Sequence, residues 1–293
     1  MKKMTLIFSL LLSTLVFASM AKETNSVLEI EKMALKQGKK HGNKNVLVVF
    51  DIDNTLLAMP QNFGSDQWWG WQSSNCMKKK APSFCVTNKF NELLDIQGQI
   101  FAVSNMIPSE KETLRVINSL QKKGYKVILL TSRGPDFRNA TERAIRMNKF
   151  DFIKSAIGPK LGYAGAFKPY DLKNPKKSGL TKEDMQKTGN KKPRLASYMN
   201  GVFMTSGMNK GIMLKAILHK TGSKFKSIVF ADDHIKHTKS MQLILGKTKG
   251  LDLVTFRYGA IDKIVKKFNS GDKKDATAAW KNFSAMKKGA FKL

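Results

Sequence analysis

Residues 46–57 read VLVVFDIDNTLL. The five apolar residues 46–50 have the length and β-branched content of a strand buried on both faces, as found inside parallel sheets. The run then breaks at Asp51 and Asp53, two carboxylates one residue apart. Aspartate is poor in strands and costly to bury without a partner. The strand is therefore expected to end where its acids have something to bind. The plainer alternative is an Asx-type turn that closes the strand.

The same pattern recurs along the chain. YKVILLTSRG (125–134) predicts a second buried strand, ending in Thr131 and Ser132. FDFIKSAIG (150–158) predicts a third, SIVFADD (227–233) a fourth ending in Asp232 and Asp233, and LDLVTFRYG (251–259) a fifth. Helical patterns lie between them. SEKETLRVINSLQKKG (109–124) offers Ser109 and Glu112 as a capping box, and NKGIMLKAILHKTG (209–222) places Lys210 at a helix start. Asn200-Gly201 between two β-prone runs signals a hairpin, because both residues tolerate positive φ. Strands alternating with helices predict an α/β domain: a doubly wound, mostly parallel, five-stranded Rossmann-like sheet. Two stretches without a clean period, about 58–105 and 158–207, are expected to be cap insertions. The first carries Trp68, Trp69 and Trp71, which either line a pocket or pack a small lobe.

In such sheets, ligands bind beyond the C-terminal strand ends. That rule gathers Asp51, Asp53, Thr131, Ser132, Asp232 and Asp233 at one edge, with Lys210 opening the helix before the fourth strand. Lys215 and Lys220 compete for its place, and Ser132 competes with Thr131. Four carboxylates in one crevice repel each other. Either some are protonated near neutral pH or a hard divalent cation, Mg²⁺, holds them together through oxygen ligands. His234 and His237 read as ordinary polar residues of the loop after the fourth strand, and Arg133 points either to substrate or to solvent.

FDIDNTL, the strand ending in TSRG, Lys210 opening GIMLKAIL, and FADD together resemble the four motifs of the haloacid dehalogenase-like superfamily of phosphohydrolases, in order and spacing. Their wording is also similar to that of an exported bacterial branch of it. The resemblance implies Asp51 as nucleophile, forming an aspartyl-phosphate, and Asp53 as general acid and then base. It implies Thr131 or Ser132 as a donor to a phosphoryl oxygen and Lys210 as the group that neutralises the intermediate. Mg²⁺ would be held by Asp51, the backbone carbonyl of Asp53 and Asp232, with Asp233 either a further ligand or holding a metal-bound water, and the substrate would be a phosphorylated small molecule.

The remaining features bear on location and partners. A basic start at Lys2 and Lys3, an apolar stretch and a small-x-small ending at Ser19 to Ala21 predict a signal peptide over 1–21 and export to the periplasm or medium. A retained anchor is the alternative, and no later stretch is apolar enough to span a bilayer. In an oxidising compartment Cys76 and Cys85, the only cysteines, are expected to pair, unless they remain free thiols. A 42% apolar composition excludes general disorder. The net charge of +30, almost all lysine and spread along the chain, favours anionic partners in general. A non-catalytic protein docking to anionic polymer or lipid headgroups is thus the rival from another class.

Overall fold

The computed structural model describes residues 19–291. Strand β1 (Ser19–Thr24) and helix α1 (Val27–His41) precede β2 (Val46–Phe50), the strand that leads to the two aspartates. A short β3 (Leu57–Ala58) leads into α2 (Asp66–Cys76) and α3 (Phe90–Val103), and β4 (Ile107–Pro108) leads out. Then come α4 (Thr113–Lys122), β5 (Lys126–Thr131), α5 (Arg138–Met147) and α6 (Lys182–Lys187). The chain continues through β6 (Ser197–Met199), β7 (Val202–Met204), α7 (Lys210–Lys220), β8 (Ser227–Asp232), α8 (Ile235–Leu245) and β9 (Asp252–Tyr258). Helices α9 (Asp262–Ser270) and α10 (Lys274–Phe291) finish it.

The central sheet has the order β1-β9-β8-β2-β5-β7-β6 and is parallel except for β6, which pairs antiparallel with β7. β2 is central, and its alternating side chains enter two separate cores. Val46, Val48 and Phe50 pack with Ile30 of α1 and with Val116 and Leu120 of α4. Leu47 and Val49 pack on the other face with Ile212 and Ile217 of α7 and Met241 of α8. All five are at most 1% exposed, and complete burial of such a side chain contributes about 1.5–3 kcal/mol. This two-sided burial explains why the run is continuously apolar.

The α/β, mostly parallel architecture agrees with the sequence reading, but the sheet has seven strands, not five. The predicted third strand at 150–158 is instead an irregular segment with a 3-10 turn at Ile153–Ser155. The place beside β5 belongs to β7, half of the Asn200-Gly201 hairpin, in which both turn residues have positive φ (53° and 75°). The 150–158 segment lies against that turn. A Cβ on Gly201 would stand 2.6 Å from the Phe152 carbonyl oxygen, so glycine is required there. The hairpin's other strand, β6, and β1 are the remaining additions. Of the predicted leader 1–21, residues 1–18 lie outside the described residues, while Ser19–Ala21 form the first half of β1, paired with β9.

The proposed capping box is absent. The Ser109 N–H bonds to the Leu56 carbonyl because the chain is still extended beside β3. The helix begins later, at Thr113, and the Glu112 carboxylate pairs with Arg115.

The β3–β4 pair closes the neck of the first insertion, which carries α2 and α3. Cys76 and Cys85 form a disulfide within it. The second insertion is narrower than 158–207, because Ser197–Met199 and Val202–Met204 belong to the central sheet. No helix among the described residues is long and apolar enough to cross a membrane.

Candidate active site

Strand register assembles the site. Phe50 of β2 lies beside Ala231 of β8 and Leu129 of β5. One residue further on, the Asp51 N–H donates to the Ala231 carbonyl at 3.0 Å, which sets Asp51 next to Asp232. The chain connects β2 to β5 on one side and returns to β8 on the other, so this edge is the crevice where a doubly wound sheet binds ligands.

Lys210 is the first residue of α7 and is fully buried. Its Nζ donates to Asp51 Oδ1 and to Asp232 Oδ2, each at 2.6 Å. Local structure fixes that position. Asn209 caps α7 by accepting from the Ile212 N–H, and Ser240 of α8 donates to Asn209 Oδ1 and accepts from the Gly211 N–H. A Cβ on Gly211 would stand 2.5 Å from the Ser240 carbonyl oxygen. Glycine therefore allows α8 to approach closely beside the lysine. Of the competing lysines, Lys215 pairs with Asp184 instead.

The loop after Asp51 is tied to the second acidic pair. Asn54 adopts φ 58°, and Thr55 Oγ1 accepts from the Asp233 N–H at 3.0 Å. Asp232 Oδ1 accepts from the His234 N–H at 2.9 Å. Among the described residues nothing hydrogen-bonds to the second Asp51 oxygen, Oδ2. Thr131 is buried, and its Oγ1 accepts from the Arg133 N–H. Ser132 is less enclosed, with its Oγ 3.5 Å from His237 Nε2.

Sequence reasoning underrated Arg133 and His234 and missed Asp66. Arg133, left between substrate and solvent, is buried, and its guanidinium grips both oxygens of Asp53. Nε donates to Oδ2 at 2.9 Å and Nη2 to Oδ1 at 2.7 Å. It also donates to Thr141 Oγ1 and lies 3.9 Å from the centroid of the Phe101 ring of α3. Asp66, the first residue of α2, accepts from His234 Nε2 at 2.9 Å, so His234 is an ion-pair partner and not an idle loop residue. Its signal in the sequence was only its place directly after FADD, and Arg133's was its place directly after Thr131-Ser132. Of the tryptophans, Trp68 is buried against Phe63, whereas Trp69 borders a small cavity beside Asp53.

The electrostatics follow from burial and pairing. Burial pushes the Asp51 carboxyl up to about 7, with Lys210 opposing and Asp232 and Asp53 assisting. Burial likewise raises Asp232, against the pull of Lys210. Burial and the charge of Asp66 raise Asp233 well above the carboxylate range. Burial alone would lower Lys210, but Asp232 and Asp51 outweigh it and hold the ammonium charged. The hydrogen bond His234 donates to Asp66 lifts its imidazole to about 9. Burial opposes ionisation of Asp66, yet His234 holds it below its usual range.

The donor set fits a hard divalent cation. Asp51, Asp232 and Asp233 each offer a carboxylate oxygen, all within 4.8 Å of one another. Asp233 Oδ1 is buried without a hydrogen-bond partner among the described residues. Arg133 covers the charge of Asp53 and His234 that of Asp66. Three carboxylates set against the single ammonium of Lys210 leave two negative charges when all are ionised, the charge one such cation neutralises. Oxygen ligands alone suit Mg²⁺ chemistry rather than that of a softer metal.

No curated protein matches the chain. One family model does, over residues 23–289, and its description is "Protein of unknown function (DUF2608)". With nearly the whole length matched, the chain belongs to the DUF2608 family.

Proposed function

We propose that this protein is an exported, Mg²⁺-dependent phosphohydrolase of haloacid dehalogenase-like type, acting on a phosphomonoester. The observation that carries the reading is the Lys210 ammonium held 2.6 Å from both Asp51 and Asp232 at the C-terminal edge of a parallel sheet. A purely structural ion pair would need one acid, whereas three carboxylates meet here and Asp233 Oδ1 is buried without a hydrogen-bond partner among the described residues. The Cys76–Cys85 disulfide supports export, since such bonds persist in oxidising compartments.

Asp51 attacks phosphorus through Oδ2 while Lys210 holds Oδ1. The bond from phosphorus to the leaving oxygen breaks, and Asp53, which enters the step protonated with one arm of the Arg133 fork released, gives that oxygen its proton. Asp53 then takes a proton from water, whose oxygen attacks phosphorus. The bond to Asp51 breaks, and phosphate leaves. Because Arg133 holds both Asp53 oxygens, each proton transfer requires one arm of that fork to open. Lys210 balances charge on the intermediate, and the Ser132 hydroxyl is the more accessible donor to a phosphoryl oxygen. Asp51, Asp232, Asp233 and the Asp53 carbonyl would hold Mg²⁺, which when bound neutralises charge on the phosphoryl oxygens. Catalysis of this kind is mostly positioning and charge stabilisation.

The test is turnover of p-nitrophenyl phosphate with and without Mg²⁺, in wild type and Asp51→Asn. Activity that needs the metal and falls to background in the variant supports the reading. Release to an added alcohol in place of water would identify a phosphotransferase on the same residues. Salt-sensitive polyanion binding with no turnover across a broad phosphate panel would replace the enzyme with the binding protein.

A further inference from the structure

The catalytic edge is flanked by two cavities that meet at Ser132 and differ in size and chemistry. The first, about 90 Å³, lies beneath the first insertion, bounded by Trp69, Phe101 and Phe137 together with Asp53 and Arg133. The second, about 600 Å³, lies beneath the second insertion and reaches Ser132 and Asn209, the residue before Lys210. Lys191, Lys192 and Arg194 of that insertion and Lys236 of α8 line it, and no carboxylate does. None of these four cations has an ion-pair partner among the described residues.

Size decides which way a substrate extends. At about 90 Å³ the first cavity is too small for a substrate body. The second falls inside the roughly 300–1,000 Å³ of small-molecule sites. The part of the substrate beyond the scissile phosphate therefore extends among four like charges. All four are solvent-exposed, so water screens their mutual repulsion in part, and an anion between them relieves what remains.

We infer that this cavity is a second anion subsite and that the substrate is a multiply phosphorylated small molecule, with one phosphoryl group at Asp51 and another among Lys191, Lys192, Arg194 and Lys236. The inference rests on the phosphohydrolase reading of the neighbouring residues. It assigns selectivity to the second insertion and not to the tryptophan-rich first one.

The experiment measures binding of inorganic tripolyphosphate and of orthophosphate by calorimetry at fixed free Mg²⁺, in the Asp51→Asn background so that turnover does not intervene. Tripolyphosphate is expected to bind at least about tenfold more tightly, equivalent to about 1.4 kcal/mol. Adding Lys191→Ala, Lys192→Ala and Arg194→Ala should abolish that preference. Replacing the exposed Lys263, Lys266 and Lys267 of α9 by alanine should leave it intact. The first triple variant is also made in otherwise wild-type protein, where turnover can be read. Glucose bisphosphate should lose its kcat/KM advantage over glucose monophosphate in the same variant. Equal affinity for the two anions, or a preference that survives the first triple variant or falls equally in the α9 control, would overturn the subsite. If wild type still turns over the aryl phosphate, that result leaves the phosphohydrolase reading standing. Absence of aryl-phosphate turnover would instead remove the reading beneath it.

Discussion

Replacing Asp51 by asparagine should make the metal-free protein more stable at alkaline pH while abolishing turnover. Asp51 is 5% exposed, and its carboxyl titrates at about 7 in the fold against 3.8 for an unperturbed aspartate. A folded-state value raised in this way means that proton binding favours the fold. The contribution is complete below pH 3.8 and is lost as pH rises through about 7. The difference between the two values corresponds to about 4 kcal/mol once the group must ionise. Asparagine keeps the shape and still accepts a hydrogen bond from Lys210, but never ionises. The expected gain is about 2–4 kcal/mol at about pH 8.5, or roughly 5–10 °C in Tm for a chain of this size. It should largely vanish at about pH 4.5, where the wild-type carboxyl is protonated in the fold. Urea and thermal unfolding in chelator at the two pH values provide the assay. A variant less stable at the higher pH, or a gain equal at both, would refute the electrostatic account of this carboxylate.

Three further perturbations probe the surroundings. Lys210→Met leaves Asp51 and Asp232 buried without their shared counter-charge, and should lower stability by about 3–5 kcal/mol in urea at neutral pH. Reduction of Cys76–Cys85, a loop with sequence separation 9, should lower stability by about 2.5 kcal/mol in the chain-entropy model, measured as urea midpoints with and without reductant. His234 is lifted from 6.5 to about 9 by Asp66, so its contribution is complete below pH 6.5 and lost as pH rises through about 9. The Tm advantage of wild type over His234→Gln should accordingly disappear at about pH 10. An advantage independent of pH would show that the ion pair does not link α2 to the site.

The residues that the crevice gathers were legible in the sequence because each stands at the end of a strand whose apolar run is conspicuous. Asp51 follows directly on β2, Thr131 and Asp232 end β5 and β8, and Lys210 opens α7. What was not legible depended on contacts distant in sequence. The apolar character of 150–158 comes from burial of Phe150 and Phe152 in one core and of Ile157 in the other, not from strand pairing, and periodicity does not separate these two causes. β1 is an exposed edge strand of mixed polarity, so it carries no hydrophobic signal. The Arg133–Asp53 and Asp66–His234 pairs join residues 80 and 168 positions apart. Neither motif nor local composition marks such pairs; only the fold brings them together.

The most direct test of the central claim is chemical trapping of the acyl phosphate. Wild type mixed with a phosphomonoester and Mg²⁺, quenched and reduced with borohydride, should yield homoserine at position 51 by peptide mass spectrometry, and nowhere else. Reduction at another carboxylate, or sustained turnover with Asp51 always recovered unchanged, would contradict the assignment of Asp51 as the nucleophile.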